Sequence, residues 1–453
     1  MWSISGIIST LNHTADAVYS RLLPAATYER RRDSEVVKDE LGDGRLGVSR
    51  AKPPTSAVSP SAVRWLQLRP AQSSGKSVAP DMGEVSPIPG ILPASARADA
   101  SPIKPVCDGN VAIRVSVVVP AYNNPGQLSQ CLSALRAAAG ADTELIVVDD
   151  ASNDDVSPTA VHLGARLLRL ARNAGPAAAQ NHGARHARGQ ILFFVDADVV
   201  VPKDAIGRIQ TILDCHGEIA AVFGSYDSRP AAPGLVSQYR NLLHHFVHQT
   251  GKAEAATFWA GCGAVRRPAF DRVGGFDERR FHNPSIEDIE LGYRLRRAGY
   301  CIFLDKSLQC MHLKRWTLRS VIRTDVIHRA IPWSRLILES GEAPDDLNVS
   351  GSQRASVALI GLAGLFLLVS PVRLELLMLA FGCVAVTLIL NRDLYAFFLR
   401  AGGILFAAAC VPLHLLYFTY CGLSYYYVWV LSMLQRAVAG RVGKADPSKG
   451  ASC

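Results

Sequence analysis

The chain has 453 residues, a formal net charge of +9 and hydrophobic side chains at 49% of positions, enough for two or three structural units and at least one full-sized core. A positive balance suits nucleic acid, an anionic membrane face or a phosphorylated substrate; with no nucleic-acid-binding signature beside it, no nucleic-acid partner is expected, and membrane and phosphate are favoured. The ten cysteines include no Cys-x-x-Cys pair, which indicates neither a zinc site nor a disulfide framework and suits buried free thiols.

In chain order, residues 1–110 read as a tail and linker. Apolar residues scattered over 1–28 (Ile4, Ile7, Ile8, Leu11) suit an interfacial helix only loosely. Lys and Arg are missing ahead of a continuous apolar core in 1–20, so no cleaved signal peptide is expected and the soluble part is expected in the cytosol. The Pro, Ser and mixed charge of 33–110 carry no period of strand or helix and predict a disordered linker.

Order is predicted from Val115. Val115-Ser-Val-Val-Val119, Glu144-Leu-Ile-Val-Val148 and Gln190-Ile-Leu-Phe-Phe-Val195 read as buried strands, with helical spacing over 128–139 and 177–187. Strands alternating with helices predict an α/β fold with a largely parallel sheet, whose ligands bind beyond the carboxyl ends of the strands. Asp149-Asp150 closes one strand, Asp196 and Asp198 close another, and Glu287-Asp288 heads an amphipathic helix over 289–298. Carboxylates gathered there repel unless a cation lies among them. Magnesium or manganese bound to a diphosphate supplies one, because it takes few protein oxygens and lets phosphates complete its shell. Each acidic pair taken singly also suits a turn, a helix cap or a helix start; their order and separation together are far more specific.

Five landmarks stand in order: Val117-Val-Val-Pro-Ala-Tyr-Asn123, Val147-Val-Asp-Asp-Ala-Ser152, Arg172-Asn-Ala-Gly-Pro-Ala-Ala-Ala-Gln-Asn181, Phe194-Val-Asp-Ala-Asp198, and Gly274-Gly-Phe-Asp277 followed by Glu287-Asp-Ile-Glu-Leu291. In these the chain resembles the family 2 glycosyltransferases of the GT-A fold, over roughly 115–313. The resemblance implies inverting transfer of a sugar from a nucleotide-diphosphate donor. It places Pro120, Tyr122 and Asp150 in the base and ribose pocket, with Asp149 and Asn173 among the substrate-binding residues. Asp196 would face ribose or metal, Asp198 would hold the divalent metal (Mg²⁺ or Mn²⁺), and Asp288, with Glu287 beside it, aligns with the catalytic base.

Trp259-Ala-Gly-Cys-Gly263 would form the loop near sugar and acceptor, with Trp259 and Gly261 in contact, against a reading as packing glycines. His312, 24 residues after Asp288, is a candidate metal or phosphate ligand or a core histidine. His244, His245 and His248 lack the acidic partner of a zinc motif, so helix surface or acceptor-site lining is favoured. His312-Leu-Lys-Arg-Trp316 is similar to the QxxRW motif of processive synthases, with His in place of Gln; Lys314, Arg315 and Trp316 would then lie near phosphate. That departure, and the lack of spans ahead of the domain, argue against processivity.

Charge-free runs at 355–372 and 376–391 reach about 27 and 24 Å as helices, enough for short spans or for a hairpin turning at Ser370-Pro371. Residues 401–435 carry no charge and are read as a span over 402–420 followed by an interfacial segment with Tyr425, Tyr426, Tyr427 and Trp429 as an aromatic belt. Two spans or a re-entrant element keep the basic 436–453 tail inside. The expected organisation is a tail (1–110), a GT-A catalytic domain (111–340) facing the cytoplasm, membrane or interfacial helices (354–435) and a basic tail. The expected partners are a nucleotide-sugar donor, a lipid, polyprenyl-phosphate or glycan acceptor and the cell membrane. The alternatives are a processive polysaccharide synthase and a non-catalytic GT-A scaffold subunit.

Overall fold

The computed structural model describes residues 112–442; the expectations for 1–110 and for the end of the basic tail lie outside the described residues. Strand and helix first alternate: β1 (Val115–Ala121), α1 (Pro125–Ala138), β2 (Thr143–Asp149), α2 (Ser157–His162), β3 (Arg166–Arg169), α3 (Pro176–His186) and β4 (Ile191–Val195). The chain then continues through β5 (Val199–Val200), α4 (Ala205–Cys215), β6 (Ile219–Tyr226), α5 (Leu235–Thr250), β7 (Cys262–Arg266), α6 (Arg267–Arg272), α7 (Glu287–Arg297) and β8 (Cys301–His312). The last part is helical: α8 (Leu318–Arg323), a π-helical segment (Thr324–Ala330), α9 (Ile331–Ser340), α10 (Gly351–Val369), α11 (Leu376–Leu390) and α12 (Arg392–Val442).

The strands lie in the order β3-β2-β1-β4-β7-β6-β8-β5. β3, β2, β1 and β4 run parallel, as does β6 with β8, whereas β7 is antiparallel to both neighbours and β5 is antiparallel to β8. Both sheet faces are covered, which is why the first strands read as unbroken apolar runs. Val117 and Val119 face Leu128 and Leu132 of α1, while Val118 packs with Ala177 and Ala184 of α3 on the other side. Gly183 brings α3 against β1, since a Cβ there would strike the side chain of Val118. Phe194 is fully buried, its ring 5.0 Å from Phe276 and 5.4 Å from Phe270. Phe194→Ala is expected to lower stability by about 3–5 kcal/mol, measured as a drop in the unfolding midpoint of the detergent-solubilised protein.

Helix α10 and helix α11 form a hairpin that turns over 370–375, the turn expected at Ser370-Pro371. Gln353 and Asn391 hydrogen-bond at its open end (3.1 Å), and Asn391 also donates to Ser356 (2.9 Å). Helix α12 departs from expectation. Gly403 is non-helical (φ 78°, ψ −179°), and Tyr395 Oη lies 2.9 Å from His414 Nδ1. Nineteen residues of straight helix would part these two by about 28 Å, so the chain doubles back at Gly403. The stretch expected to span from 402 to 420 packs along one side against the catalytic domain. Phe406 and Cys410 pack with Tyr239, Leu242 and Leu243 of α5, and Leu413 and Leu416 pack with Trp316 and Val321. The physical reason is that this stretch has apolar partners on the domain, which charge counting along the sequence does not register. Gly351–Val369 and Arg392–Arg436 are long and apolar enough to cross a membrane, with only 17% and 22% of their apolar windows buried. Leu368, Met378, Phe381 and Ile404 are open on their outer faces.

Candidate active site

The carboxyl ends of β1 and β4 open into one large cleft. Pro120, Tyr122, Asp150, Asn173, Asp196, Asp198, Trp259, Gly261, Glu287, Asp288, His312 and Trp316 all line it. Parallel neighbours bring Asp150 and Asp196 to this rim, because β2 and β4 flank β1 and end at the same level.

Asp150 is held by the start of α3. Its carboxylate accepts from Ala174 N (2.7 Å) and Gly175 N (2.9 Å). Gly175 has φ +87°, and a Cβ on it would collide with the carbonyl oxygen of His282, so the turn that presents these two N–H groups needs glycine. Asp149 does not reach the cleft. Successive strand residues point to opposite faces, and Asp149 is fully buried, accepting from Ser152 N (2.9 Å) and pairing with Arg169 (2.6 Å). Burial opposes its ionisation, but the Ser152 and Arg169 bonds outweigh that and hold its carboxyl below the usual range. The substrate contact expected of Asp149 is therefore replaced by support of the turn that carries Asp150. Arg315 is likewise exposed and away from the lining, whereas its neighbour Lys314 lines the cleft and lies 4.4 Å over the Trp316 ring.

The loop 259–261 links the two acidic groups. Asp196 N donates to Gly261 O (3.2 Å), and Ala260 N donates to Asp288 Oδ2 (3.2 Å), while Asp288 Oδ1 accepts from Ile289 N (2.8 Å) at the head of α7. Glu287 accepts from Ser285 N (2.8 Å). Burial first, then the Asp198 and Asp288 charges, push Asp196 up to about 7. Burial and the Asp288 charge push Glu287 up to about 8, and burial raises Asp288 against the pull of its N–H donors.

Asp198 behaves oppositely. Burial works against its charge, but the hydrogen bond and charge of His312, then Lys314, hold it below the normal range. His312 Nε2 lies 3.4 Å from Asp198 Oδ2, and its Nδ1 lies 2.7 Å from Asn241 Oδ1. Asn241 Nδ2 is spent on the Ser237 carbonyl (3.1 Å), so its oxygen faces His312 and Nδ1–H must donate. That leaves the Nε2 lone pair and a carboxylate oxygen facing each other, an arrangement that a proton or a metal cation satisfies. Among the described residues no three His, Cys, Asp or Glu form a complete metal cage. Asp198 and His312 offer two ligand atoms of the kind Mg²⁺ or Mn²⁺ accepts, and would leave the rest of such an ion's shell to other oxygens.

Residues beyond the motifs also enter. Tyr226 stacks on His312 with ring centroids 4.3 Å apart at 9°, and its ring meets Trp259 edge-on at 4.9 Å. His244 and His248 line the cleft, while His245 is buried with Nδ1 2.7 Å from Tyr226 O. Tyr417 and Cys421 of α12 close one side, and Arg240, Asp325 and Arg329 complete the wall.

The raised carboxyls have a consequence for pH. A carboxyl whose folded pKa exceeds its unfolded value, about 4, contributes stability while protonated. That contribution is lost as pH rises through about 7 for Asp196 and about 8 for Glu287. In EDTA the melting temperature is expected to fall between pH 5.5 and 8.5, and Mn²⁺ with a nucleoside diphosphate to raise it more at the upper pH. Equal ligand-induced shifts at both pH values would contradict this.

A curled mixed sheet, mostly parallel, with an acidic cleft at its carboxyl rim is a GT-A-like fold. Residues 116–274 match the model of Glycosyl transferase family 2. The chain is 29% identical over 223 residues to the pre-mycofactocin glycosyltransferase of Mycobacterium tuberculosis, covering 46% of this chain and 44% of that protein. It is 28% identical over 200 residues to the undecaprenyl-phosphate 4-deoxy-4-formamido-L-arabinose transferase of Salmonella paratyphi A, covering 42% of this chain and 58% of that one. The matches thus span about half the length of these relatives. Among solved structures it is similar to the mannosyltransferase PcManGT from Pyrobaculum calidifontis in complex with GDP-Man and Mn²⁺, with TM-score 0.46, 20% identity, and coverage of 69% of this chain and 87% of that one.

Proposed function

We propose that the chain is an inverting glycosyltransferase held at the membrane, moving a sugar from a nucleotide-diphosphate donor to a hydroxyl or phosphate acceptor presented by a lipid or polyprenyl-phosphate. The observation that carries this reading is the convergence of Asp150, Asp196, Asp198 and Asp288, from separate elements, on one cleft. Tyr122 and Asp150 flank the nucleoside end, where the carboxylate is fixed by two N–H groups. Asp198 and His312, with Asp196 beside them, would hold Mg²⁺ or Mn²⁺. A divalent ion bound there supplies electrostatic stabilisation of the departing diphosphate. Asp288, oriented by Ala260 N–H and Ile289 N–H, takes the proton of an attacking hydroxyl, and its raised pKa makes it a stronger base than a free carboxylate. Inversion follows from a single in-line displacement.

Two features support a lipid-linked acceptor. The cleft wall includes Tyr417 and Cys421 of a candidate membrane helix, and one relative is named for undecaprenyl phosphate. The catalytic domain sits on the cytoplasmic side in this reading: Arg354 and Arg392 lie at the domain end of the helical hairpin, which the Gln353–Asn391 bond closes, and Arg373 lies at the far turn. The test is to incubate purified protein, in detergent with Mn²⁺, with a panel of labelled nucleotide sugars and membrane lipid extract. Label should pass from one donor into the lipid fraction; no transfer from any donor would overturn the proposal.

A further inference from the structure

We infer that Arg329 is a phosphate ligand of the cleft, held in place by a buried linkage to the C-terminal helix. This rests on the sugar-nucleotide reading of the site. Three cations line the cleft: Arg240, Lys314 and Arg329. Arg240 is spent, since its guanidinium pairs at 2.7 Å with Asp325 in a buried contact. Lys314 lies over Trp316. Arg329 is half-buried, and among the described residues no hydrogen bond or ion pair holds its guanidinium. A guanidinium that lines the cleft without a protein partner keeps its five N–H donors for an anion. Arg329 lines the same cleft as Asp196, Asp198 and Asp288. It therefore shares a cavity with the carboxylates that would hold the cation and with the base, where a reacting phosphate would lie.

The backbone that carries Arg329 is fixed on both sides. It belongs to the π-helical segment Thr324–Ala330, and such segments often mark functional sites. Asp325, at one end, accepts from Arg240 of α5 and, at 2.6 Å, from Tyr420 Oη of α12. At the other end the carbonyl of His328 accepts from Ser285 Oγ at 2.9 Å, in the loop that leads to Glu287 and Asp288. A guanidinium held this way suits bidentate recognition of phosphate. The phosphate comes from the donor's diphosphate or from the headgroup of a phosphorylated lipid acceptor, and the two sources are separable.

The probes are UDP, GDP, UMP and GMP with Mn²⁺, titrated calorimetrically into the full-length protein, and undecaprenyl phosphate in micelles as acceptor. In Arg329→Gln the affinity advantage of the diphosphate over the monophosphate should fall at least tenfold, with Arg329→Lys recovering part of it. A loss confined to the KM for undecaprenyl phosphate assigns the ligand to the acceptor headgroup. Melting curves of both variants report folding, and Arg329→Lys carries the test if Arg329→Gln does not fold. Wild-type values for the diphosphate advantage and for the acceptor KM, in a folded variant, overturn the assignment alone. Failure of the wild-type protein to bind either diphosphate takes the sugar-nucleotide reading down with it.

Discussion

Asp288→Asn is expected to lower kcat for a hydroxyl acceptor by about 10²- to 10⁴-fold, the range for loss of a positioned general base. Asparagine preserves size and can keep an oxygen toward Ala260 N–H, whose bond to Asp288 is 3.2 Å, but it accepts no proton. Nucleoside diphosphate binding should hold to within about twofold, because the interaction lost is made only in the transition state. The comparison also separates acceptors: an ionised phosphate needs no base, so a variant that still glycosylates a lipid phosphate while failing on a hydroxyl reports which acceptor the cleft serves. Activity of the variant equal to wild type on a hydroxyl acceptor would remove Asp288 from the chemistry and favour the scaffold alternative.

Asp198→Asn should cost at least about 100-fold in kcat/KM, the scale of losing one preorganised electrostatic element, and should abolish the Mn²⁺-dependent rise in melting temperature. The reason lies in the His312 tautomer. With Nδ1–H committed to Asn241 at 2.7 Å, Nε2 offers a lone pair, and the carboxylate 3.4 Å away is the negative partner that makes the pair a cation site. An amide oxygen carries no charge, and its NH₂ would satisfy Nε2 directly. Unchanged stabilisation by Mn²⁺ in Asp198→Asn, read in the same melting assay, would place the cation elsewhere.

The parallel half of the sheet was legible because buried strands with both faces covered leave continuous apolar runs, as at Val117 to Val119 and Phe193 to Val195. The acidic residues could be found because strand ends and a helix head carried them. Other features were not legible for definite reasons. Asp149 and Asp150 are equivalent in composition, and only the pleat decides that one meets Arg169 and the other the cleft. Lys314 and Arg315 are equally basic, but Lys314 is the one over Trp316. The reversal at Gly403 sits inside an uncharged run where hydropathy shows no break, and it is fixed by tertiary contacts such as Tyr395 with His414. Arg329 belongs to no motif; its position depends on Asp325 and its long-range partners Arg240 and Tyr420, 85 and 95 residues away.

The most direct measurement is an electron paramagnetic resonance titration of Mn²⁺ into the full-length protein with saturating nucleoside diphosphate, run on wild type, Asp198→Asn and Asp288→Asn. The account predicts one tightly held Mn²⁺ per wild-type chain, retention of that ion in Asp288→Asn, and its loss in Asp198→Asn. Tight binding that persists in Asp198→Asn, or that needs no nucleotide, would contradict a cleft in which these carboxylates and a diphosphate share one cation.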